Sequence, residues 1–302
     1  MTLTRRRLLA GAAAGAALAA LPARAAAPGE TRTIPSTGAQ IPAVGLGTWI
    51  TFNVGSDPKL LERSVGVMRA FFEEGGGMID SSPMYGSSQD TVGHGLETLG
   101  APESLFSAEK VWTSSPTEGP AQMAETRETW GVARFDLMQV HNLLGVEGHL
   151  ETLFAMKAAG RLGHVGVTTS HGRRHGDLAR IMQRHPLDFV QLTYNVLDRE
   201  AEDRLLPLAA ERGIGVIVNR PYRRGALTAR MRGVPLPGYA AELGAESWAQ
   251  LMLKFILAHP VVTVAIPATT SAAHVRENKA AARGPLPDAA LRARISADVA
   301  DA

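Results

Sequence analysis

The chain has 302 residues, 45% of them hydrophobic, enough apolar material for one large α/β domain or two small ones and too much for a disordered chain. It contains no cysteine, which excludes disulfides, thiol catalysis and cysteine-ligated metal centres. The 31 Lys and Arg residues against 29 Asp and Glu give a net charge of +2, but Arg5, Arg6, Arg7 and Arg24 all lie in the first 27 residues; without that segment 27 basic residues face 29 acidic ones, and no basic stripe for nucleic acid remains.

The N-terminus reads as an address. Arg5-Arg6-Arg7 precedes an Ala/Gly/Leu run to Leu21, and Ala23-Arg24-Ala25 supplies small residues at a cleavage position, so residues 1–27 are expected to be a signal peptide. The run is shorter than the roughly 18–20 residues that span a bilayer. Paired arginines before a weakly apolar run are similar to the twin-arginine export signal. Twin-arginine export machinery is therefore the expected partner of the precursor. The mature chain, residues 28–302, is expected in the periplasm or outside the cell, without a membrane anchor.

After Thr31–Pro42, which has the punctuation of a small hairpin, strand and helix patterns alternate. The predicted first strand is Ala43–Trp49, followed by a helix over Pro58–Glu74 with Leu61, Val65, Met68 and Phe72 on one face. Met78-Ile79-Asp80 is the second strand, and its helix begins after Gly86-Ser87-Ser88. Strands then follow at Leu105–Trp112, Phe135–Val140, Leu162–Thr168, Asp188–Leu192, Ile214–Val218 and Val261–Ile266. The helices between and after them are predicted near Glu118–Gly131, Val146–Ala159, Arg173–Arg184, Glu200–Arg212, Ala245–Ala258 and Ser271–Ala282, with one more over Asp288–Val299. Eight short apolar strands each followed by a helix predict a (β/α)8 TIM barrel. A doubly wound open sheet is the competitor, but no G-x-G-x-x-G follows the first strand.

In such a barrel the C-terminal strand ends converge on one pocket. The predicted tips carry Gly47-Thr48-Trp49, then Asp80 with Tyr85, Lys110, His141, Thr168-Thr169-Ser170, Gln191 with Asn195, Asn219-Arg220 and Thr269-Thr270. Lys110 is the telling residue. A lysine inside a strand is costly unless paired, and Asp80 on the neighbouring strand is a ready partner. A tyrosine beside that pair can act as a general acid: the phenol, with a reference pKa of about 10, keeps its proton at neutral pH yet yields it to a nascent alkoxide, and a nearby ammonium is expected to lower its pKa.

Over residues 31–283 the chain resembles an aldo-keto reductase. The resemblance rests on Gly45–Trp49, Ile79-Asp-Ser-Ser-Pro-Met-Tyr-Gly-Ser-Ser88, Lys110–Trp112, Asp136–His141, Gly163–Thr168, Val190-Gln191 with Asn195, and Ile266-Pro267 through Glu277-Asn278. It implies a catalytic tetrad of Asp80, Tyr85, Lys110 and His141, with His141 orienting the substrate carbonyl. It implies NADP, with NAD an alternative, bound along Gly47, Thr48 and Trp49. Thr168, Thr169 and Gln191 would hold the carboxamide, Thr269 and Thr270 a phosphate, and Glu277 and Asn278 the adenine. Asn219-Arg220 stands where the family carries an aromatic that stacks on nicotinamide, so Tyr222 or Trp49 would have to supply stacking. Ala268 and His274 occupy the positions of the basic residues for the 2′-phosphate, which leaves Arg276 or Arg220 to take that role. Trp49 and Trp112 would border the pocket for a small carbonyl or alcohol substrate.

Two other readings stand beside the oxidoreductase. A nucleotide-bound sensor of the same fold would show no turnover with aldehydes. A metal-dependent hydrolase would need ligands, and although His171 and His175 are spaced i,i+4, no partner at another strand end completes a site, so no metal is expected.

Overall fold

The computed structural model describes residues 30–302, so the expected signal segment lies outside the described residues. Strands β1 (Thr31–Thr33) and β2 (Gln40–Pro42) form the antiparallel hairpin. Then come β3 (Leu46–Gly47), α1 (Pro58–Glu73), β4 (Gly77–Asp80), α2 (Ser88–Leu99), β5 (Leu105–Val111), α3 (Gly119–Trp130), β6 (Phe135–Val140), α4 (Val146–Ala158), β7 (Leu162–Thr168) and α5 (His175–Arg184). The chain continues through β8 (Phe189–Thr193), α6 (Leu205–Arg212), β9 (Gly215–Asn219), α7 (Ala226–Arg230), α8 (Tyr239–Glu242), α9 (Trp248–Leu257), β10 (Val262–Ala265), α10 (Ala272–Ala280) and α11 (Ala289–Asp301). Strands β3 to β10 pair in parallel in sequence order, and parallel bridges Val44↔Ala265 and Gly47↔Ala268 close the sheet into the barrel.

Three stretches differ from the sequence pattern. The first strand is only two residues of regular ladder, and its backbone runs close to both neighbours: a Cβ on Gly45 would lie 2.7 Å from the Met78 carbonyl, and one on Gly47 2.8 Å from that of Ile266. The helix expected over Glu200–Arg212 splits into a single 3₁₀ turn at Glu200–Glu202 and α6. Helices α7 and α8 lie in the long β9–α9 connection, where the sequence pattern carried no element.

Period-two alternation sorts the strands into two faces. Outward residues such as Ile79, Val111, Met138 and Val140 pack beneath the helices. Inward residues Met78, Ala108, Leu137, Phe189, Ile217 and Val264 form an apolar interior, which Ile34 and Ile41 of the hairpin complete at the N-terminal end. Two positions further along four of these strands, toward their C-terminal ends, the same face carries Asp80, Lys110, Gln139 and Gln191, all at most 2% exposed. The barrel is thus apolar at its base and polar one layer up. Among the described residues no helix is long and apolar enough to cross a membrane, and no group of three or more His, Asp or Glu is placed to hold a metal ion.

Candidate active site

The polar layer is one network centred on Asp80. Its Oδ2 accepts from Lys110 Nζ at 2.6 Å, and its Oδ1 accepts from Gln191 Nε2 at 2.8 Å and Gln139 Nε2 at 3.0 Å. Lys110 also donates to the Ser81 carbonyl at 2.5 Å, and Thr48 Oγ1 donates to the Asp80 carbonyl at 2.9 Å. The pair is buried, so these further hydrogen bonds are needed to offset its desolvation. Burial works against the Lys110 ammonium, but Asp80, Tyr85 and Glu109 outweigh it and push its pKa up.

Tyr85 ends the 3₁₀ turn Pro83–Tyr85, whose entry is fixed by Ser82 Oγ accepting from Met84 N at 3.2 Å. Lys110 Nζ lies 5.0 Å from the centroid of the Tyr85 ring, and His141 meets that ring edge-on at 5.6 Å. Burial pushes the Tyr85 phenol up to about 12, although Lys110 pulls it down. The expected lowering by Lys110 is therefore real but outweighed, and the resting phenol is firmly protonated. Burial, reinforced by the Lys110 charge, drives His141 down to about 3, so the imidazole is neutral. Its Nδ1 sits 2.7 Å from Ser82 Oγ. The tautomer in which Ser82 gives its proton to Nδ1 leaves Nε2–H as a donor toward the cleft.

Above the network opens a cleft of about 330 Å³, lined among others by Gly47, Thr48, Trp49, Asp80, Tyr85, His141, Thr168, Thr169, Gln191, Asn219, Arg220 and Tyr222. Asn219 Nδ2 donates to the Thr169 carbonyl at 3.0 Å and to Gln191 Oε1 at 3.3 Å, and its Oδ1 accepts from Thr193 Oγ1 at 2.7 Å. Gln191 Nε2 is spent on Asp80 and Gln139, which leaves Gln191 Oε1 and the hydroxyls of Thr168 and Thr169 to face a carboxamide, and with these groups the cleft fits the nicotinamide end of a dinucleotide.

The other expected residues divide. Thr269 is buried, with Oγ1 accepting from Ser271 N at 3.1 Å, and Thr270 is exposed beside it at the start of α10. Asn278 is buried, its Oδ1 accepting from the Tyr222 hydroxyl at 2.8 Å, and Glu277 accepts from Ser247 Oγ. One expectation is corrected: Trp112 is not among the residues that line the cleft; it follows β5, which ends at Val111, its backbone bonds the Gln122 amide (N–H to Oε1 2.6 Å, carbonyl to Nε2 3.1 Å), and the residue is 40% exposed. Arg276 is half exposed and pairs with Glu73 of α1, its NH2 2.8 Å from Oε2.

Ser82, Gln139, His171 and Arg224 were not singled out as site residues from sequence. The first two had a signal. Gln139 shares the inward parity of His141 on β6, and Ser82 follows Asp80 by two. His171 and Arg224 reach the cleft from irregular loops, which carry no periodicity to read.

The sequence matches the family described as "Aldo/keto reductase family" over residues 43–295. Among curated relatives, the Bacillus subtilis (strain 168) protein "Aldo-keto reductase YhdN" is 29% identical over 220 residues, covering 67% of this chain and 65% of that protein's length. "Methylglyoxal reductase YeaE" of Escherichia coli (strain K12) is 27% identical over 248 residues, covering 80% and 85%. A Klebsiella pneumoniae aldo/keto reductase crystallised with NADP and acetate superposes with a TM-score of 0.73 at 21% identity, over 87% of this chain and 93% of that one. At that identity the superposition speaks to the barrel, which the two share.

Proposed function

The chain belongs to the aldo/keto reductase family, oxidoreductases of carbonyl and alcohol groups, and on that premise we propose that Tyr85 is its general acid and NADP, ahead of NAD, its cofactor. The observation that carries this reading is the buried Asp80–Lys110 pair at 2.6 Å, placed under the Tyr85 ring with neutral His141 at its edge. A bound dinucleotide would supply the hydride. This chain's own residues would manage the oxygen. His141 Nε2–H donates to the carbonyl oxygen and fixes it beside the Tyr85 hydroxyl. As charge builds on that oxygen, Tyr85 transfers its proton, and the Lys110 ammonium stabilises the phenolate left behind. Asp80, held by Gln139 and Gln191, keeps the ammonium in place. In the alcohol-oxidising direction the phenolate takes the proton back.

Gln191, Thr168, Thr169 and Asn219 would hold the nicotinamide end, and Thr269 with the α10 N-terminus the phosphate end. With Ala268 and His274 at the 2′-phosphate positions and Arg276 paired with Glu73, the NADP preference is worth about 1–3 kcal/mol or less. Tyr85→Phe tests the reading: kcat for aldehyde reduction falls by about 10³-fold while cofactor affinity, read by fluorescence, stays within about twofold. A variant that kept most of its turnover would remove Tyr85 from the reaction.

The arginines and Ala-rich run of residues 5–25 support export of the folded, cofactor-loaded protein. A protein carried folded can keep a ligand that the destination does not supply, and tight retention stabilises it by mass action. Protein recovered from the periplasm is expected to begin near residue 28 and to carry dinucleotide. A chain that stays cytoplasmic with its first residues intact would refute this.

A further inference from the structure

A second cavity opens on the outside of the barrel between α3 and α4, and it shares no lining residue with the catalytic cleft. Its volume is about 450 Å³, within the range that small organic ligands fill. Phe135 and Leu162, the first residues of β6 and β7, belong to its lining. The cavity therefore lies toward the N-terminal strand ends, whereas Tyr85 and His141 stand at the opposite end of the barrel. Met123 of α3, Met138 of β6 and Met156 of α4 complete the apolar wall, so three of the chain's ten methionines meet in this one place. Methionine is unbranched and polarizable, and a wall made of it adapts to ligands of different shape.

The polar side chains of the lining are all of one kind. They are Arg127, Arg134 and Arg161, and no acid, amide or hydroxyl side chain joins them. Arg127 has only distant partners, with NH1 3.4 Å from the Val132 carbonyl and NH2 3.7 Å from Glu128 Oε1, a carboxylate 74% exposed. Arg134 and Arg161 each stand one residue before a strand, are exposed, and among the described residues form neither an ion pair nor a hydrogen bond. The next carboxylate in sequence, Asp136, is engaged elsewhere, its Oδ2 accepting from Ser107 N and Ser107 Oγ at 2.8 Å each. Below these exposed cations Met123, Phe135, Met138 and Leu162 are at most 3% exposed. Three like charges around an apolar hollow create a positive potential there, and guanidinium matches a carboxylate with two parallel hydrogen bonds.

We propose that this cavity is a second ligand site, which takes a small amphipathic carboxylate with its acyl or aryl body against the methionines and Phe135 and its charged end among the three arginines. Charge and depth favour this occupant over others. The first 29 residues carry Arg5, Arg6, Arg7 and Arg24 and no acid, so the arginine rim repels them. A second copy joined through this face by a two-fold axis would bring the same arginines against each other. An anionic bilayer would meet the arginines but not the apolar residues, which lie beneath them and are reached by a single narrow chain. The site is independent of the carbonyl-reducing reading, because none of its residues lines the catalytic cleft.

The test titrates sodium octanoate calorimetrically into the purified protein at saturating NADPH, with octanol as the neutral counterpart. Octanoate is expected to bind one to one, at least about tenfold more tightly than octanol, with an affinity that falls as salt is raised. From hexanoate to octanoate the affinity is expected to rise by about tenfold, as two buried methylenes require. The double variant Arg134→Gln with Arg161→Gln should lose at least about tenfold for octanoate and less than about threefold for octanol. Ala124→Trp, which fills the cavity from an exposed position on α3, should lose both ligands. Both variants should keep the kcat and cofactor KM of the unmodified protein. No binding of octanoate, equal binding of octanoate and octanol, or affinities unchanged in both variants would overturn the proposal. So would octanoate that only competes with an aldehyde substrate, because the acid would then sit in the catalytic cleft. Two further outcomes would assign the arginines to another occupant and equally overturn it: a dimer, seen by sedimentation, that the double variant disperses, or recruitment to phosphatidylglycerol vesicles without binding of free octanoate.

Discussion

Replacing Lys110 with methionine separates what the buried ion pair does for stability from what it does for chemistry. The substitution keeps the volume but leaves the Asp80 carboxylate, 2% exposed, with only the Gln139 and Gln191 amides. Removing one partner of a buried pair costs about 3–5 kcal/mol. In a domain of this size each kcal/mol moves Tm by roughly 2–4 °C, so the midpoint should fall by roughly 6–20 °C. The ammonium also lies 5.0 Å from the centroid of the Tyr85 ring. At an effective dielectric of about 20, a unit charge at that separation favours a phenolate by about 3 kcal/mol, which is roughly two in pKa or a factor of ~10² in acid strength. The double variant Lys110→Met with Asp80→Asn removes both charges. It should regain most of the lost stability but none of the lost turnover. Thermal unfolding followed by circular dichroism, together with NADPH consumption on a small aldehyde, reads both quantities. A Lys110→Met protein within about 1 kcal/mol of the unmodified one would refute the energetic argument, and a double variant with restored kcat would refute the catalytic one.

Ser82→Ala removes the hydroxyl that partners His141 Nδ1, and kcat should fall roughly tenfold to a hundredfold with KM for cofactor unchanged; a fully active variant would show that the imidazole needs no such partner. Because burial holds His141 near 3 in the fold against about 6.5 in the unfolded chain, the unfolded state binds the extra proton between those values. Stability should therefore decline as pH falls from 7 toward 3, and His141→Gln should flatten that slope, measurable by urea unfolding at several pH values. Glu109, fully buried behind Lys110, works on the other side. Burial raises its carboxyl to about 8, so the fold binds a proton the unfolded chain releases above about 4.5, and its contribution is lost as pH rises from 5 through 8. Glu109→Gln should gain stability relative to the unmodified chain over that window, and a gain independent of pH would contradict the assignment.

The barrel was legible in the sequence because its strands are buried on both faces and read as continuous apolar runs between helices, and their bounds at Phe135–Val140 and Leu162–Thr168 match the structure residue for residue. The side chains that meet around Asp80 were legible for a related reason. A lysine in an apolar strand is conspicuous, and strand order then puts Asp80, Lys110 and His141 side by side. What lay out of reach depends on side-chain direction in loops. Nothing in the chain distinguishes Trp112, 40% exposed past the end of β5, from Trp49, which lines the cleft. That Arg276 pairs with Glu73 depends on how α10 lies against α1, which sequence spacing does not carry. The rise in the Tyr85 pKa was missed because Lys110 could be read from sequence and the depth of burial could not.

The most direct test of the account is the fate of the hydride and proton at one carbonyl. Residues 28–302 are incubated with NADPH stereospecifically deuterated at C4 of the nicotinamide and with an aldehyde, and the product alcohol is analysed by mass spectrometry. The account predicts an alcohol one mass unit heavier, formed by the unmodified protein and lost with Tyr85→Phe although both proteins bind the cofactor. Cofactor binding without any labelled alcohol across a panel of neutral and anionic aldehydes would contradict it and make the barrel a nucleotide-binding protein.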